Sequence, residues 1–213
     1  MMKPKGILIA IGGNEERHSR IDEQGRGSIL KNIIIHAGGA KCRIELIKCA
    51  TELTGDAGNE YSGAFRKLGA LNLGSMVIDS RKTADSTAIL KRLEQADAIL
   101  FTGGDQILAI ELLRSTKAHE LLYSRFLDEK LVIAGTSAGA VALTGEMIVG
   151  GEDGGIIKKG NLKMEEGLGF TKQIIFESHF FVRNRFGRLA EAVALNPGLL
   201  GIGIGEDTGV IIK

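Results

Sequence analysis

VIAGTSAGAV, residues 132–141, is the stretch on which the reading of this chain turns. It places Gly135, Ser137 and Gly139 in a G-x-S-x-G pattern between strand-like LVIA and helix-compatible AVAL. That is the context in which a serine is presented on a sharp strand-to-helix turn, its neighbours kept small because the turn is tight and other backbone crowds it. By itself the pentapeptide equally fits a glycine-lined turn that serves packing or phosphate binding, so its meaning depends on the rest of the chain.

Around it, apolar runs of strand length recur: GILIAIG, RIELIKCA, GSMVIDS, ADAILFTGG, LVIAGTS itself, QIIFESH and LLGIGIGE. Helix-length amphipathic segments separate most of them, among them SILKNIIIHAGG, AFRKLGALN, STAILKRLEQ, QILAIELLRST and RFGRLAEAVALN. Continuous apolar strands that alternate with helices predict a mostly parallel sheet covered on both faces, an α/β three-layer sandwich. In such sheets ligands sit beyond the carboxyl ends of the strands. The residues expected there are Gly12, Gly13 and Asn14; Gly103 to Gln106; Ser137; and Ser178 with His179.

No internal repeat or interdomain linker interrupts the 213 residues, a length that one core can serve, so residues 1–213 read as a single domain. The Gly-rich charged stretch VGGEDGGIIKKGNLKMEEG, residues 149–167, reads as a long surface loop with a short hairpin, placed where a lid between two candidate catalytic segments would lie. With 44% hydrophobic and 25% charged residues the composition is that of an ordinary soluble globular protein. Lys and Arg number 27 against 26 Asp and Glu, so no global field recruits nucleic acid or an anionic membrane, and charge recognition must be local. Cys42 and Cys49 share one predicted strand region and form neither a disulfide framework nor a metal knuckle; they read as reduced structural thiols. The apolar run in MMKPKGILIAIGGNEE is too short for a secretory signal and lacks a small-residue cleavage site, which makes it a first buried strand and the protein cytoplasmic.

A serine hydroxyl needs a base before it attacks anything. Of the four histidines, His18 falls in a polar loop, His36 within a predicted helix and His119 at a helix start, positions that suit surface or capping roles. His179 differs: it directly follows QIIFES and is expected to reach the same sheet edge as Ser137. Glu206, after LLGIGIG, is an acid at another predicted strand end and can hold the imidazole, with Asp207 the neighbouring alternative. The order Ser, His, acid argues against an α/β-hydrolase, where the acid precedes the histidine. In FTGGDQ the amides around Gly104 and Asp105, with that of Ala138, make a candidate oxyanion hole; alternatively this is a tight turn in which Asp105 caps a helix. HFFVRNRFGRL then sets Arg183, Arg185 and Arg188 just after the candidate base, the last two on one helical face by their spacing and suited to bidentate carboxylate binding.

Taken together and in this order, GTSAGA, GGDQ, HFFVRNRFGRL and GIGEDT make the chain resemble the cyanophycinase family of serine peptidases, which also contains aspartyl dipeptidases. The resemblance runs from the first strand to the last residues. It implies a fold similar to class I glutamine amidotransferases, of flavodoxin-like type, with Ser137 as nucleophile, His179 as base and Glu206 as the orienting acid. It also implies a homodimer without metal or organic cofactor, and a substrate site lined by Gln106, Glu177, Ser178, Arg183, Arg185 and Arg188. Cyanophycinases cleave a storage polymer whose poly-aspartate backbone carries arginine on each β-carboxyl group, releasing β-aspartyl-arginine. Arginines at 183, 185 and 188 would meet the carboxylates and Glu177 a guanidinium. Glu177-Ser178-His179 stands where the family usually has Asp-Gln-His, at two positions expected to contact substrate. Besides a cyanophycin-cleaving exopeptidase, an aspartyl dipeptidase and a non-catalytic binder of Asp/Arg peptides therefore stay open. The family pattern usually continues with further strands after EDT, whereas this sequence stops at Lys213, which predicts a domain shortened at its C-terminal edge.

Overall fold

Alternate residues of the first strand, β1 (Ile7–Ile11), enter two different apolar clusters, Leu8 and Ala10 on one face of a sheet and Ile9 and Ile11 on the other. The computed structural model describes residues 3–15, 29–49, 56–151 and 160–213. After β1 come α1 (Ile29–His36), β2 (Arg43–Cys49), α2 (Asp56–Lys67), β3 (Asn72–Ile78), α3 (Arg81–Ala84), α4 (Thr87–Glu94) and β4 (Ala98–Phe101). The chain continues through α5 (Gln106–Leu113), α6 (Lys117–Asp128), β5 (Val132–Thr136), α7 (Ala138–Ala142), β6 (Glu146–Gly150) and β7 (Lys163–Glu166). It closes with β8 (Ile174–Glu177), α8 (Phe186–Leu195), β9 (Leu200–Gly203) and β10 (Gly209–Ile212).

The main sheet has the order β10-β1-β5-β4-β2-β3. All its pairings are parallel except that of β10 with β1. The division seen in β1 repeats in β4, where Ile99 and Phe101 face one cluster and Ala98 and Leu100 the other, and in β5, where Ile133 opposes Val132 and Ala134. Both faces of these strands are dry, which is why their sequences are apolar without alternation. Leu30 and Ile33 of α1 and Phe65 of α2 cover one face; Leu93 of α4, Leu113 of α5, Leu122 and Phe126 of α6 and Val141 of α7 cover the other. The three-layer α/β architecture with a mostly parallel sheet is as the sequence predicts.

This topology positions the site. β1 and β5 are neighbours, yet α1, the first described helix after β1, packs on one face and α7, after β5, on the opposite face. A crevice opens at the carboxyl ends of two such strands, and it is where α/β sheets place ligands. Gly12 to Glu15 and Ser137 lie there.

Two of the seven apolar runs depart from the expected single sheet. β8 and β9 pair with each other in a separate parallel ladder, Ile174 opposite Leu200 through Glu177 opposite Gly203. Ile175 packs with Ile148, Leu189 and Ala192 in a third apolar cluster. A strand's own pattern reports how deeply it is buried and not which strand it joins. The stretch at 149–167 starts at the end of β6 and runs through β7, and these two strands form an antiparallel pair; the middle of that stretch, residues 152–159, and His18 lie outside the described residues.

Candidate active site

Ser137 stands between β5 and α7 with φ +53° and ψ −120°, a left-handed backbone that costs a non-glycine residue about 1–3 kcal/mol. The conformation turns the chain sharply from strand to helix. The two glycines of the motif are required by the crowding this creates: a Cβ on Gly135 would run into the carbonyl of Gly139, and one on Gly139 into that of Phe101. The Ser137 N–H donates to the carbonyl of Ile11 at 3.0 Å, tying the turn to the end of β1.

His179 leaves β8 with φ +51°. Its arrival beside Ser137 does not come from a shared sheet edge, as the sequence reading supposed, because β8 is not in the main sheet. It comes from a backbone bond, the His179 N–H donating to the Gly12 carbonyl at 2.9 Å. The strand ends that carry His179 and Glu206 are joined by Ile204 N–H to Glu177 C=O at 2.8 Å and Phe180 N–H to Ile204 C=O at 3.1 Å.

These ties bring three side chains into one line. Ser137 Oγ lies 2.8 Å from His179 Nε2, and His179 Nδ1 lies 2.6 Å from Glu206 Oε1. Asn14 Nδ2 donates to the other carboxylate oxygen, Glu206 Oε2, at 3.0 Å. The hydrogen bond from His179, then that from Asn14, and the positive charge of Arg183 hold the Glu206 carboxyl below its ordinary range. With Glu206 ionised, Nδ1 carries the proton and Nε2 is the acceptor that faces the serine hydroxyl. The neighbouring alternative, Asp207, is exposed and reaches the site through its backbone, its N–H donating to Gly13 C=O at 3.0 Å.

Of the six described non-glycine residues with positive φ, Ser115 alone lies away from this region; Asn14, Ser137, His179, Asn184 and Asp207 all belong to it. Such clustering marks sites where the surrounding structure over-determines the backbone.

The turn between β4 and α5 flanks the serine, since a Cβ on Gly103 would sit 3.4 Å from Ser137 Cβ. Gly104 has φ +151°. Asp105 does cap the following helix: its Oδ1 accepts from the amides of Ile107 at 2.8 Å and Leu108 at 3.3 Å. Gln106 is half-buried, its Nε2 3.5 Å from the carbonyl of Ile148. Ala138, buried, begins α7 directly after the serine.

The expected substrate contacts divide. Glu177 and Ser178 are 1% and 3% exposed. The Glu177 carboxylate is engaged by its own chain, with Arg185 Nη1 donating to Oε1 at 2.8 Å and Arg188 Nε 3.3 Å from Oε2. Arg185 Nη1 also donates to the Ser178 carbonyl at 3.1 Å. These two arginines therefore brace the segment around His179. Arg185 is the N-cap position of α8, so Arg183 precedes the helix; it is exposed and close enough to Glu206 to lower its carboxyl. Asn14 and Glu15 enter the site without having been assigned a role from sequence. Their signal is GGNE immediately after an apolar strand, where a polar residue is already near a crevice.

Among the described residues no helix is long and apolar enough to cross a membrane, and no three of His, Cys, Asp and Glu form a group that could hold a metal ion.

Residues 9–213 match the model of peptidase family S51. The chain is 34% identical over 210 residues to the cyanophycinase of Trichormus variabilis, covering 98% of this chain and 68% of that protein. It is 32% identical to the cyanophycinase of Geminocystis herdmanii, covering 98% of this chain and 75% of the relative. Among solved structures, a peptidase from an acI-B1 Actinobacterium superposes with a TM-score of 0.68 at 20% identity, over 99% of this chain and 84% of the other. A putative peptidase E protein from Listeria monocytogenes EGD-e gives 0.59 at 16% identity, over 100% and 95%. The two structural likenesses bear on the fold alone.

Proposed function

The chain belongs to peptidase family S51 and is a serine peptidase, and from that premise we propose that it is an exopeptidase acting on cyanophycin or related β-aspartyl peptides. The observation that carries this reading is the line from Ser137 Oγ through His179 to Glu206, with separations of 2.8 and 2.6 Å. His179 Nε2 takes the serine proton as Oγ attacks the scissile carbonyl carbon, and the imidazolium is stabilised by Glu206. The oxyanion accepts hydrogen bonds from the amides of Gly104, Asp105 and Ala138. His179 then gives its proton to the leaving amine, which departs as the acyl-enzyme forms. A water molecule, deprotonated by the same nitrogen, hydrolyses the ester and regenerates Ser137. Each step uses groups of the chain and water.

Recognition of the aspartate carboxylate falls to Arg183, the exposed cation beside Glu206. Gln106, at the start of α5, lines the same side as the candidate oxyanion amides. Burial of Glu177 against Arg185 and Arg188 favours a second reading, an aspartyl dipeptidase, because that carboxylate is already engaged and a substrate guanidinium would have to displace an internal pair. In both readings the protein is a homodimer, as the family resemblance implies.

The test is to incubate the purified protein with cyanophycin, β-Asp-Arg, β-Asp-Lys and N-terminal α-Asp dipeptides and to identify the products by mass. Release of β-Asp-Arg from the polymer supports the first reading; cleavage of dipeptides alone supports the second. Cleavage that persists in Ser137→Ala would overturn the assignment of the nucleophile.

A further inference from the structure

The segment that ends β1 touches every part of the catalytic arrangement. Ile11, Gly12 and Gly13 each offer a carbonyl, to the amides of Ser137, His179 and Asp207 at 3.0, 2.9 and 3.0 Å. Asn14 bonds Glu206. The next residue, Glu15, is a carboxylate only 3% exposed that takes no part in the chemistry above. Its Oε2 accepts from the Thr136 hydroxyl at 2.7 Å, and its Oε1 accepts from the Tyr61 hydroxyl of α2. Thr136 is itself 1% exposed and precedes Ser137 directly.

A buried carboxylate is retained only where donors satisfy it, and here two hydroxyl donors converge on its two oxygens. The bond to Thr136 spans the gap between the β1 loop and the last residue of β5, next to a serine held at positive φ. Tyr61 fixes the carboxylate from a third element. The loop that carries the ties to His179 and Glu206 thus also grips the nucleophile's own strand.

We infer that Glu15 is a positioning residue for Ser137: anchored by Tyr61, its carboxylate holds Thr136, and through it the nucleophile turn, in register with His179. Glu15 touches no reacting atom. It acts on the serine-to-imidazole distance, to which the attack rate is sensitive, since a displacement of about 1 Å costs on the order of 100-fold. The inference rests on Ser137 being the nucleophile.

The experiment uses the full chain and measures the rate at which a fluorophosphonate labels Ser137, alongside the folded fraction by circular dichroism. Thr136→Val keeps the side-chain shape and removes the hydroxyl; it is expected to slow labelling by about 10- to 100-fold in folded protein. Thr136→Ser returns the hydroxyl and is expected to restore most of the rate, which a purely packing role for residue 136 would not produce. Glu15→Gln, with one acceptor oxygen in place of two, should also slow labelling. Wild-type rates in Thr136→Val and Glu15→Gln, or equal slowing in Thr136→Val and Thr136→Ser, would overturn the inference alone. Absence of Ser137 labelling in the wild-type protein would overturn the nucleophile assignment and this inference with it. If Thr136→Val does not fold, Tyr61→Phe releases the carboxylate from its anchor without altering β5; slower labelling of folded Tyr61→Phe supports the inference and an unchanged rate refutes it.

Discussion

The imidazole of His179 fills the space that a side chain on Gly13 would need: a Cβ there would stand 2.5 Å from both Cε1 and Nε2. Gly13 also has φ +98°, a conformation that only glycine adopts without strain. Gly13→Ala is therefore expected to push the ring away from Ser137 and to lower kcat/KM by on the order of 100-fold. The loss should appear in kcat with the overall fold retained by circular dichroism. An alanine variant with wild-type kcat would mean that the ring has another productive seat.

Glu206→Gln should keep the fold but let an amide N–H face Nδ1, so that the imidazole is misdirected and activity falls less than on removal of Ser137. Asp207→Asn should cost less activity than Glu206→Gln, because it is Glu206 Oε1 that lies 2.6 Å from His179 Nδ1. A greater loss in Asp207→Asn would move the role of acid to that residue. The pH dependence has a definite sign. The folded carboxyl of Glu206 lies below its ordinary value of 4.5, so on acidification the unfolded chain takes up the proton first. The stability that wild type gains over Glu206→Gln is complete well above that value and declines as the pH falls below it. Denaturant midpoints of the two proteins at pH 7 and at acid pH measure the difference.

The arginines should separate into two kinds. Arg183→Ala removes an exposed cation and is expected to lower kcat/KM for peptides bearing the aspartate carboxylate by up to about fivefold, roughly 1 kcal/mol, and to leave an amide analogue and Tm unchanged. Arg185→Ala strips one partner from the buried Glu177 and should cost about 3–5 kcal/mol of stability, read as a fall in Tm. Equal kinetic losses on both substrates in Arg183→Ala would remove the carboxylate-recognition role.

Away from the site, His119 is expected to make stability depend on pH. Its Nδ1 accepts from the Ser115 N–H at 3.3 Å and its Nε2 lies 2.8 Å from the Leu168 carbonyl, so the neutral ring uses both nitrogens. Burial, the largest cause, pushes its pKa below the ordinary 6.5. The unfolded chain thus binds the proton first, and stability falls as the pH drops through about 6.5 and levels off below the folded-state value. His119→Gln should flatten that part of the stability profile measured between pH 7.5 and 5; an unchanged slope would assign it to another group.

Much of this protein was legible in one dimension because its physics there is local. LVIA, AILF and ILIAI are apolar at every position since both faces of a parallel sheet are dry, and that pattern alone implies helices on both sides. GTSAG announces a crowded strand-to-helix turn, because only glycines fit beside the carbonyls of Gly139 and Phe101. His179 and Glu206 could be singled out as strand-end polar residues. Their meeting depends on contacts between residues far apart in the chain: Gly12 C=O receiving His179 N–H, β8 pairing with β9 outside the main sheet, and Asn14 reaching Glu206 across a separation of 192 residues. Whether Glu177 faces a substrate or two arginines of its own chain was likewise undecidable from spacing, since burial of a charge is set by which partners the folded chain brings to it. Periodicity and turn chemistry act over a few residues and are written in the sequence, whereas the partner of each side chain is chosen by long-range packing.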